Sequence, residues 1–328
     1  MYQITLKNNK TFTCDEDTTI FEAAKKSNIV LEHSCLSSRC RSCVVKVLSG
    51  KTINKEEELV LTEKDKNANF VLSCNAKPLC DIELDIEDLG DITLFEKKII
   101  PSKISIIEKL TDDILKIVLR LPPNSNFNFN SGQYVNIIKG NLTRSYSIAN
   151  SSNHKNQLEF FIKNYENGLM SEYFFKEAKI NDLLRLEGPI GTFFLRDSNF
   201  KNIIFLATGT GIAPIKSILE GLENSHEQYQ NKKFWVIVGA RYQKDLFWEP
   251  DYNNLNIKYI PVLSRQVNEW NGENGYVQDI VLKQQIDLDK TQVYACGSND
   301  MINSAKELLF KNNLKENNFF SDAFIQTK

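Results

Sequence analysis

Residues 33–45, "HSCLSSRCRSCVV", place Cys35, Cys40 and Cys43 within nine positions, in the spacing Cys-x4-Cys-x2-Cys. Cysteines of an apolar core sit singly among hydrophobic neighbours, whereas these three crowd one stretch with serine and arginine between them. The pattern reads as a short loop that turns several sulfurs toward one small volume. Four other cysteines exist: Cys14, Cys74, Cys80 and Cys296. Cys74, in "FVLSCNAKP" (70–78), follows Cys43 after thirty intervening residues and is the candidate fourth sulfur.

The rest of the chain sets the context. Its 328 residues suffice for two or three domains. Hydrophobic residues make up 41% and charged residues 25%, the composition of a globular protein. The formal net charge of −2 supplies no basic field for nucleic acid or an anionic membrane. No apolar run approaches the ~18 residues of a membrane-spanning helix. "MYQITLKNNKTFTCDEDT" (1–18) lacks the apolar core of a signal peptide. A cytoplasmic location is therefore expected. Thiols stay reduced there, so clustered cysteines indicate metal or redox chemistry rather than disulfides. Only His33, His154 and His226 are present, which argues against a histidine-rich metal site and against His-centred hydrolysis.

Cys35, Cys40, Cys43 and the distant Cys74 match the plant-type [2Fe–2S] spacing. Two bridged irons need four converging thiolates. A tight loop can present three, and a separate strand must return the fourth. Zinc would favour paired Cys-x2–4-Cys knuckles, and only one such pair occurs. Cys14 and Cys80 fall outside the spacing and read as small buried or half-buried residues. Around the loop, "YQITLKNNKTFTC" (2–14) reads as two strands about an Asn-Asn turn. "TTIFEAAKKSNI" (18–29) carries Ile20, Ala23 and Ala24 at helical spacing, with Asp17 or Thr18 as cap. "CVVKVLSG" (43–50) and "CDIELDIEDL" (80–89) alternate like strands. Residues 1–90 resemble the α+β β-grasp [2Fe–2S] ferredoxins. That family keeps glycine where this chain has Ser38 and Arg41, which removes the residues that take positive φ freely and leaves the loop conformation open, without removing a ligand.

"DITLFEKKIIP" (91–101) reads as a linker ending at Pro101. Residues 102–199 then give short strands with regular turns, an antiparallel barrel pattern. In "TRSYSIANSS" (143–152), Arg144 and Tyr146 share one strand face and Ser147 follows. Alone this is a short polar strand. With "IKNYENGLMSEYFF" (162–175) and "LEGPIGTFFL" (186–195) it resembles the flavin motif of the ferredoxin–NADP reductase superfamily. The resemblance implies FAD. Arg144 would hold its pyrophosphate, Tyr146 would cover the isoalloxazine, and Ser147 would sit near N5. Gly168, Met170 and Ser171 would form an anion site at a helix start, with Lys163 on the strand before it.

Residues 200–328 alternate strands and helices, the pattern of a parallel α/β sheet. "ATGTGIAP" (207–214) is neither Gly-x-Gly-x-x-Gly nor a P-loop. A plain strand–helix turn would also use glycine. It resembles the Gly-Gly-x-Gly-x-x-Pro turn of the same superfamily, with Thr208 in place of the first glycine. The resemblance implies NADH or NADPH, its pyrophosphate against Thr208, Gly209, Thr210 and Gly211. Arg241 in "VGARYQKDLFW" (238–248) would lie at the adenosine end, touching a 2′-phosphate or merely stacking. Cys296 and Gly297 in "VYACGSNDMI" (293–302) would lie at the nicotinamide; otherwise Cys296 is an ordinary buried thiol. Phe324 would shield the flavin until nicotinamide displaces it; otherwise it is a core aromatic near the end of the sequence.

The three parts together imply a multidomain reductase that passes electrons from NAD(P)H to FAD to [2Fe–2S] and on to a protein acceptor. FAD reconciles a two-electron donor with a one-electron centre. "LRLPPNSNFNFNSGQYVNII" (119–138), "EGPIGTFF" (187–194) and above all "FFSDAF" (319–324) resemble the CDP-6-deoxy-Δ3,4-glucoseen reductases. These imply, as acceptor, a pyridoxamine-phosphate-dependent CDP-sugar dehydratase that serves surface polysaccharide synthesis. The alternative is the reductase of a ring-hydroxylating dioxygenase or a diiron monooxygenase, which shares the domain order and cofactor motifs.

Overall fold

In "YQITL", Ile4 and Leu6 turn inward, making Tyr2–Leu6 (β1) a half-buried strand. It pairs antiparallel with Thr11–Cys14 (β2), and Asn9 takes the left-handed turn position between them, φ 60°. Helix Ile20–Lys26 (α1) buries Ile20, Phe21, Ala23 and Ala24. Its cap is Thr19, not Asp17 or Thr18, because Thr19 is the residue three before Glu22. Their side chains and backbones exchange the two bonds of a capping box. Val44–Ser49 (β3), Thr52–Asn54 (β4), the short helix Glu63–Asn67 (α2), Phe70–Leu72 (β5), Ala76–Pro78 (β6) and Ile82–Leu84 (β7) follow. The main sheet runs β2-β1-β7-β3-β5, with β1 and β7 parallel. The apolar face of α1 shares a core with Ile4, Leu6, Val45, Val47, Ile82 and Leu84. This is the grasp architecture. The cysteine loop joins α1 to β3, and Cys74 lies between β5 and β6.

The computed structural model describes every residue except 91, 155, 267 and 324–328. The chain divides into one compact unit over Met1–Leu94 and a second from Phe95 onward. In the second, Lys98–Lys109 (β8), Ile114–Arg120 (β9), Tyr134–Lys139 (β10), Leu142–Ser147 (β11), Gln157–Lys163 (β12) and Leu183–Ile190 (β13) form one curled antiparallel sheet, ordered β11-β10-β13-β8-β9-β12. Helix Leu169–Glu172 (α3) lies between β12 and β13. Pro101 does not end a linker; it lies within β8. It is opposite Arg185 of β13, at a point where pairing with β9 has not begun. A proline, lacking an N–H, fits a position bonded on one side only.

The chain then alternates. Asn202–Thr208 (β14), Ile212–Glu223 (α4), Lys233–Ala240 (β15), Ile257–Leu263 (β16), Glu273–Asn274 (β17), Val277–Lys283 (α5), Thr291–Gly297 (β18), Asn299–Lys311 (α6) and Phe319–Ala323 (β19) build a parallel sheet ordered β17-β16-β15-β14-β18-β19. Its inner strands are apolar at nearly every position because both faces are covered. The α4 side shares a core with Ile114, Ala149, Phe161 and Phe193 of the barrel. Helices α5 and α6 cover the other face. Ser217 on α4 donates to Asn150 O (2.7 Å) and Lys216 to Ala149 O (3.0 Å), joining helix to barrel.

Candidate functional site

The four cysteines come together as two pairs. Cys43 Sγ and Cys74 Sγ are 3.2 Å apart. The free thiols of Cys35 and Cys40 are hydrogen-bonded to one another, and Cys35 N–H also donates to Cys40 Sγ (3.3 Å). Within each pair one thiol is acidified by the other. The Cys40 thiol, followed by the Ser37 and Arg39 N–H groups, pulls Cys35 down to about 5. Cys43 likewise pulls Cys74 down to about 7, and the donors Cys40 and Cys43 are pushed up. Two half-ionised thiol pairs suit cations that displace the shared protons. Among the described residues no three or more His, Cys, Asp or Glu surround a single metal point. Four cysteines in two pairs are the donor set that a two-iron group takes. The Ser42 hydroxyl is buried with no hydrogen bond of normal geometry and draws on Cys40. It is a donor that a cluster would satisfy.

The loop backbone explains how the missing glycines are tolerated. Ser38 (φ 59°) and Arg41 (φ 61°) adopt the left-handed conformation that glycine would take freely, and Leu36 (φ 51°) does too. Each costs about 1–2 kcal/mol for an L-residue. The loop amides of Ser37 and Arg39 consequently donate to Cys35 Sγ, both at 3.4 Å. Arg41 does not project freely beside the cysteines. Its guanidinium donates to Val60 O (2.7 Å) and Asp65 Oδ2 (2.9 Å).

In the barrel, β11 carries Arg144, Tyr146 and Ser147. Arg144 is half-buried and donates to Thr143 O (2.8 Å). The Tyr146 ring meets Phe174 edge-on at 6.2 Å, and burial pushes its phenol up. Ser147 is buried at the strand end. A Cβ on Gly168 would lie 2.5 Å from Ser171 Oγ, so a side chain there would displace the Ser171 hydroxyl. The Ser171 hydroxyl donates to Gly168 O (2.8 Å) and closes the turn, while Met170 lies in the barrel core. What this turn offers a ligand is backbone. Lys163 is paired with Asp113 at 3.3 Å.

The nucleotide turn follows β14. Gly209 is left-handed (φ 54°) with open space where a Cβ would point. A Cβ on Gly211 would fall 2.1 Å from Cys296 O, and one on Gly297 would fall 2.3 Å from Thr208 Oγ1. Thr208, Gly209, Thr210, Gly211, Cys296 and Gly297 therefore meet at the carboxyl ends of β14 and β18, where ligands of parallel sheets bind. Ala149, two residues beyond Ser147, packs in one core with Ala207 and Cys296, which brings the β11 strand end to this turn. The Cys296 thiol is wholly buried, which pushes its pKa up. Arg241 is exposed just beyond β15, next to an open depression of about 500 Å³ lined by Tyr242, Gln243, Lys244 and Gln266. Phe324 lies outside the described residues. Sequence reasoning passed over Asp322, a buried carboxylate in register with Cys296 on β19. The one acidic residue in "FFSDAF" was its available signal.

Comparison with known proteins agrees with this layout. Family models match residues 4–79 as a 2Fe–2S iron–sulfur cluster binding domain, 101–195 as an oxidoreductase FAD-binding domain and 205–307 as an oxidoreductase NAD-binding domain. The CDP-6-deoxy-L-threo-D-glycero-4-hexulose-3-dehydrase reductase of Yersinia pestis is 40% identical over 97% of this chain and 96% of its own. The chain belongs to this reductase family. Like its relatives it is an electron-transfer oxidoreductase with [2Fe–2S], FAD and NAD(H) as cofactors. The phenol hydroxylase P5 protein of Acinetobacter pittii is 30% identical over 99% of this chain and 94% of its own. Among solved structures, the cytochrome P450 reductase of Amycolatopsis matches with TM-score 0.73 at 19% identity, covering 99% of each chain, a likeness of fold. No helix among the described residues is long and apolar enough to cross a membrane.

Proposed function

We propose that this reductase passes single electrons to a pyridoxamine-phosphate-dependent CDP-sugar dehydratase of surface-polysaccharide synthesis, in the cytoplasm. The observation that carries this reading is the 40% identity to the Yersinia pestis reductase along nearly the full length of both chains. The phenol hydroxylase component is ten points less similar over the same span, so the oxygenase alternative fits less well.

When bound, FAD takes a hydride and yields electrons one at a time, and the [2Fe–2S] group carries them singly. Cys35, Cys40, Cys43 and Cys74 would supply the four thiolates that hold the [2Fe–2S] group. Arg144 binds the FAD pyrophosphate, Tyr146 presents its ring to the flavin, and Ser147 orients the reacting edge. The open face of Gly209 and the backbone of Thr210 and Gly211 receive the dinucleotide pyrophosphate, and Arg241 flanks its adenosine end. No general acid–base pair is required; the residues position and insulate. The test is reconstitution: NADH, this protein and a CDP-4-keto-6-deoxyhexose dehydratase, scored for 3-deoxygenated product. Turnover with an aromatic-ring oxygenase component and none with the dehydratase would overturn the reading.

A further inference from the structure

The geometry points to Arg41 as a positioning residue that locks the cluster loop onto the 58–65 segment. The arginine stands where a glycine would give the backbone its left-handed turn without strain (φ 61°). A strained conformation persists only where its surroundings over-determine it. Here one guanidinium nitrogen bridges two acceptors, Val60 O (2.7 Å) and Asp65 Oδ2 (2.9 Å). Both acceptors are themselves held. Asp65 Oδ2 accepts from Thr62 N (2.8 Å) and Thr62 Oγ (2.7 Å) in a capping box at the start of α2. Buried Glu58 accepts from the Val60 and Leu61 N–H groups. Leu61 packs with Cys43 and Leu72, with Val60 and Cys74 against them. The 58–65 segment thus backs the Cys43–Cys74 pair and, through Arg41, fixes the loop whose amides donate to the Cys35 sulfur.

Amide donors to cluster sulfurs favour the reduced, more negative form. Loosening the loop therefore disfavours reduction, whichever partner of the clamp is removed. Charge acting through space predicts otherwise: removing Arg41 would disfavour reduction, but removing Asp65 would favour it.

The two accounts separate on the holoprotein, with the cluster followed by EPR during a redox titration and iron release to a chelator timed in parallel. This inference rests on the four-cysteine assignment, which iron analysis of the wild-type protein tests separately. Arg41→Gly and Asp65→Ala are both expected to lower the reduced-to-oxidised ratio at a fixed potential by threefold or more and to hasten iron release. Arg41→Lys, keeping the charge and a donor, is expected to recover most of the wild-type ratio. If Arg41→Gly assembles no cluster, Asp65→Ala decides alone. A rise in the ratio for Asp65→Ala, or no change, overturns the clamp.

Discussion

Two glycines of one turn should fail in different ways when replaced by alanine. At Gly211 the added Cβ would lie 2.1 Å from Cys296 O and 2.6 Å from Cys296 C, more than 1 Å inside ordinary contact with backbone that cannot rotate away. Overpacking of this kind costs about 1–3 kcal/mol, and a backbone obstacle puts it near the top of that range. For a unit of this size 1 kcal/mol moves Tm by roughly 2–4 °C, so Gly211→Ala should lose about 6–12 °C. At Gly209 nothing lies within 4 Å of the added Cβ, and the penalty is the left-handed backbone alone, about 1–2 kcal/mol or roughly 2–8 °C. Its methyl instead fills the space assigned to the dinucleotide. The KM for NADH in ferricyanide reduction should rise at least tenfold, about 1.4 kcal/mol of binding, with FAD content unchanged. Gly140→Ala is the control. That glycine is also left-handed (φ 57°) and also open, but sits in the β10–β11 hairpin. It should share the small Tm loss and leave KM alone. Equal KM values for Gly209→Ala and Gly140→Ala would refute the placement of the dinucleotide. A wild-type Tm for Gly211→Ala would refute the steric argument.

Cys74→Ser should abolish cytochrome c reduction while sparing ferricyanide reduction from the flavin; equal loss of both would mean damage beyond the cluster. Ser147→Ala should slow flavin reduction by NADH in stopped flow, and an unchanged hydride rate would remove its role. The Arg41 guanidinium first, then Thr62, lowers the Asp65 carboxyl from 3.8 to about 2. A folded value below the unfolded one stabilises at pH above about 4, and that contribution is lost as pH falls toward 2. Asp65→Asn should therefore cost more stability to urea at pH 5 than at pH 2.5; the same cost at both would contradict the ion pair.

Most of this architecture was legible because its signals are local or periodic. The Cys-x4-Cys-x2-Cys spacing and the turn of "ATGTGIAP" are short-range features, and each lies in the context its spacing predicts. The [2Fe–2S], FAD and NAD-binding parts all have their family matches in the expected order. What was not legible depends on pairing partners. Pro101 reads as a boundary until the staggered start of β9 leaves one side of β8 unbonded. Met170 reads as a cofactor contact because it stands between Gly168 and Ser171, yet its neighbours in three dimensions are the barrel core. Asp322 becomes notable only when β19 sets it in register with Cys296.

The cluster loop joins both kinds of signal. A non-glycine residue at a left-handed position states a local cost, and sequence can locate that cost at Ser38 and Arg41. It cannot locate the compensation, which for Arg41 comes from residues 19 and 24 positions away. Two bonds from one guanidinium nitrogen, both charge-assisted and one of them to a carboxylate, offset a strain of about 1–2 kcal/mol, since a hydrogen bond to a charged group contributes about 1.5–3 kcal/mol. The balance is therefore favourable with Asp65 present and closer to neutral without it. A substitution at Asp65 should then be felt at the cysteines although the residue touches none of the four. Conversely, Arg41→Gly relieves the strain and removes the bonds together. Its stability should change less than that of Asp65→Ala, which removes the acceptor and leaves the strain in place.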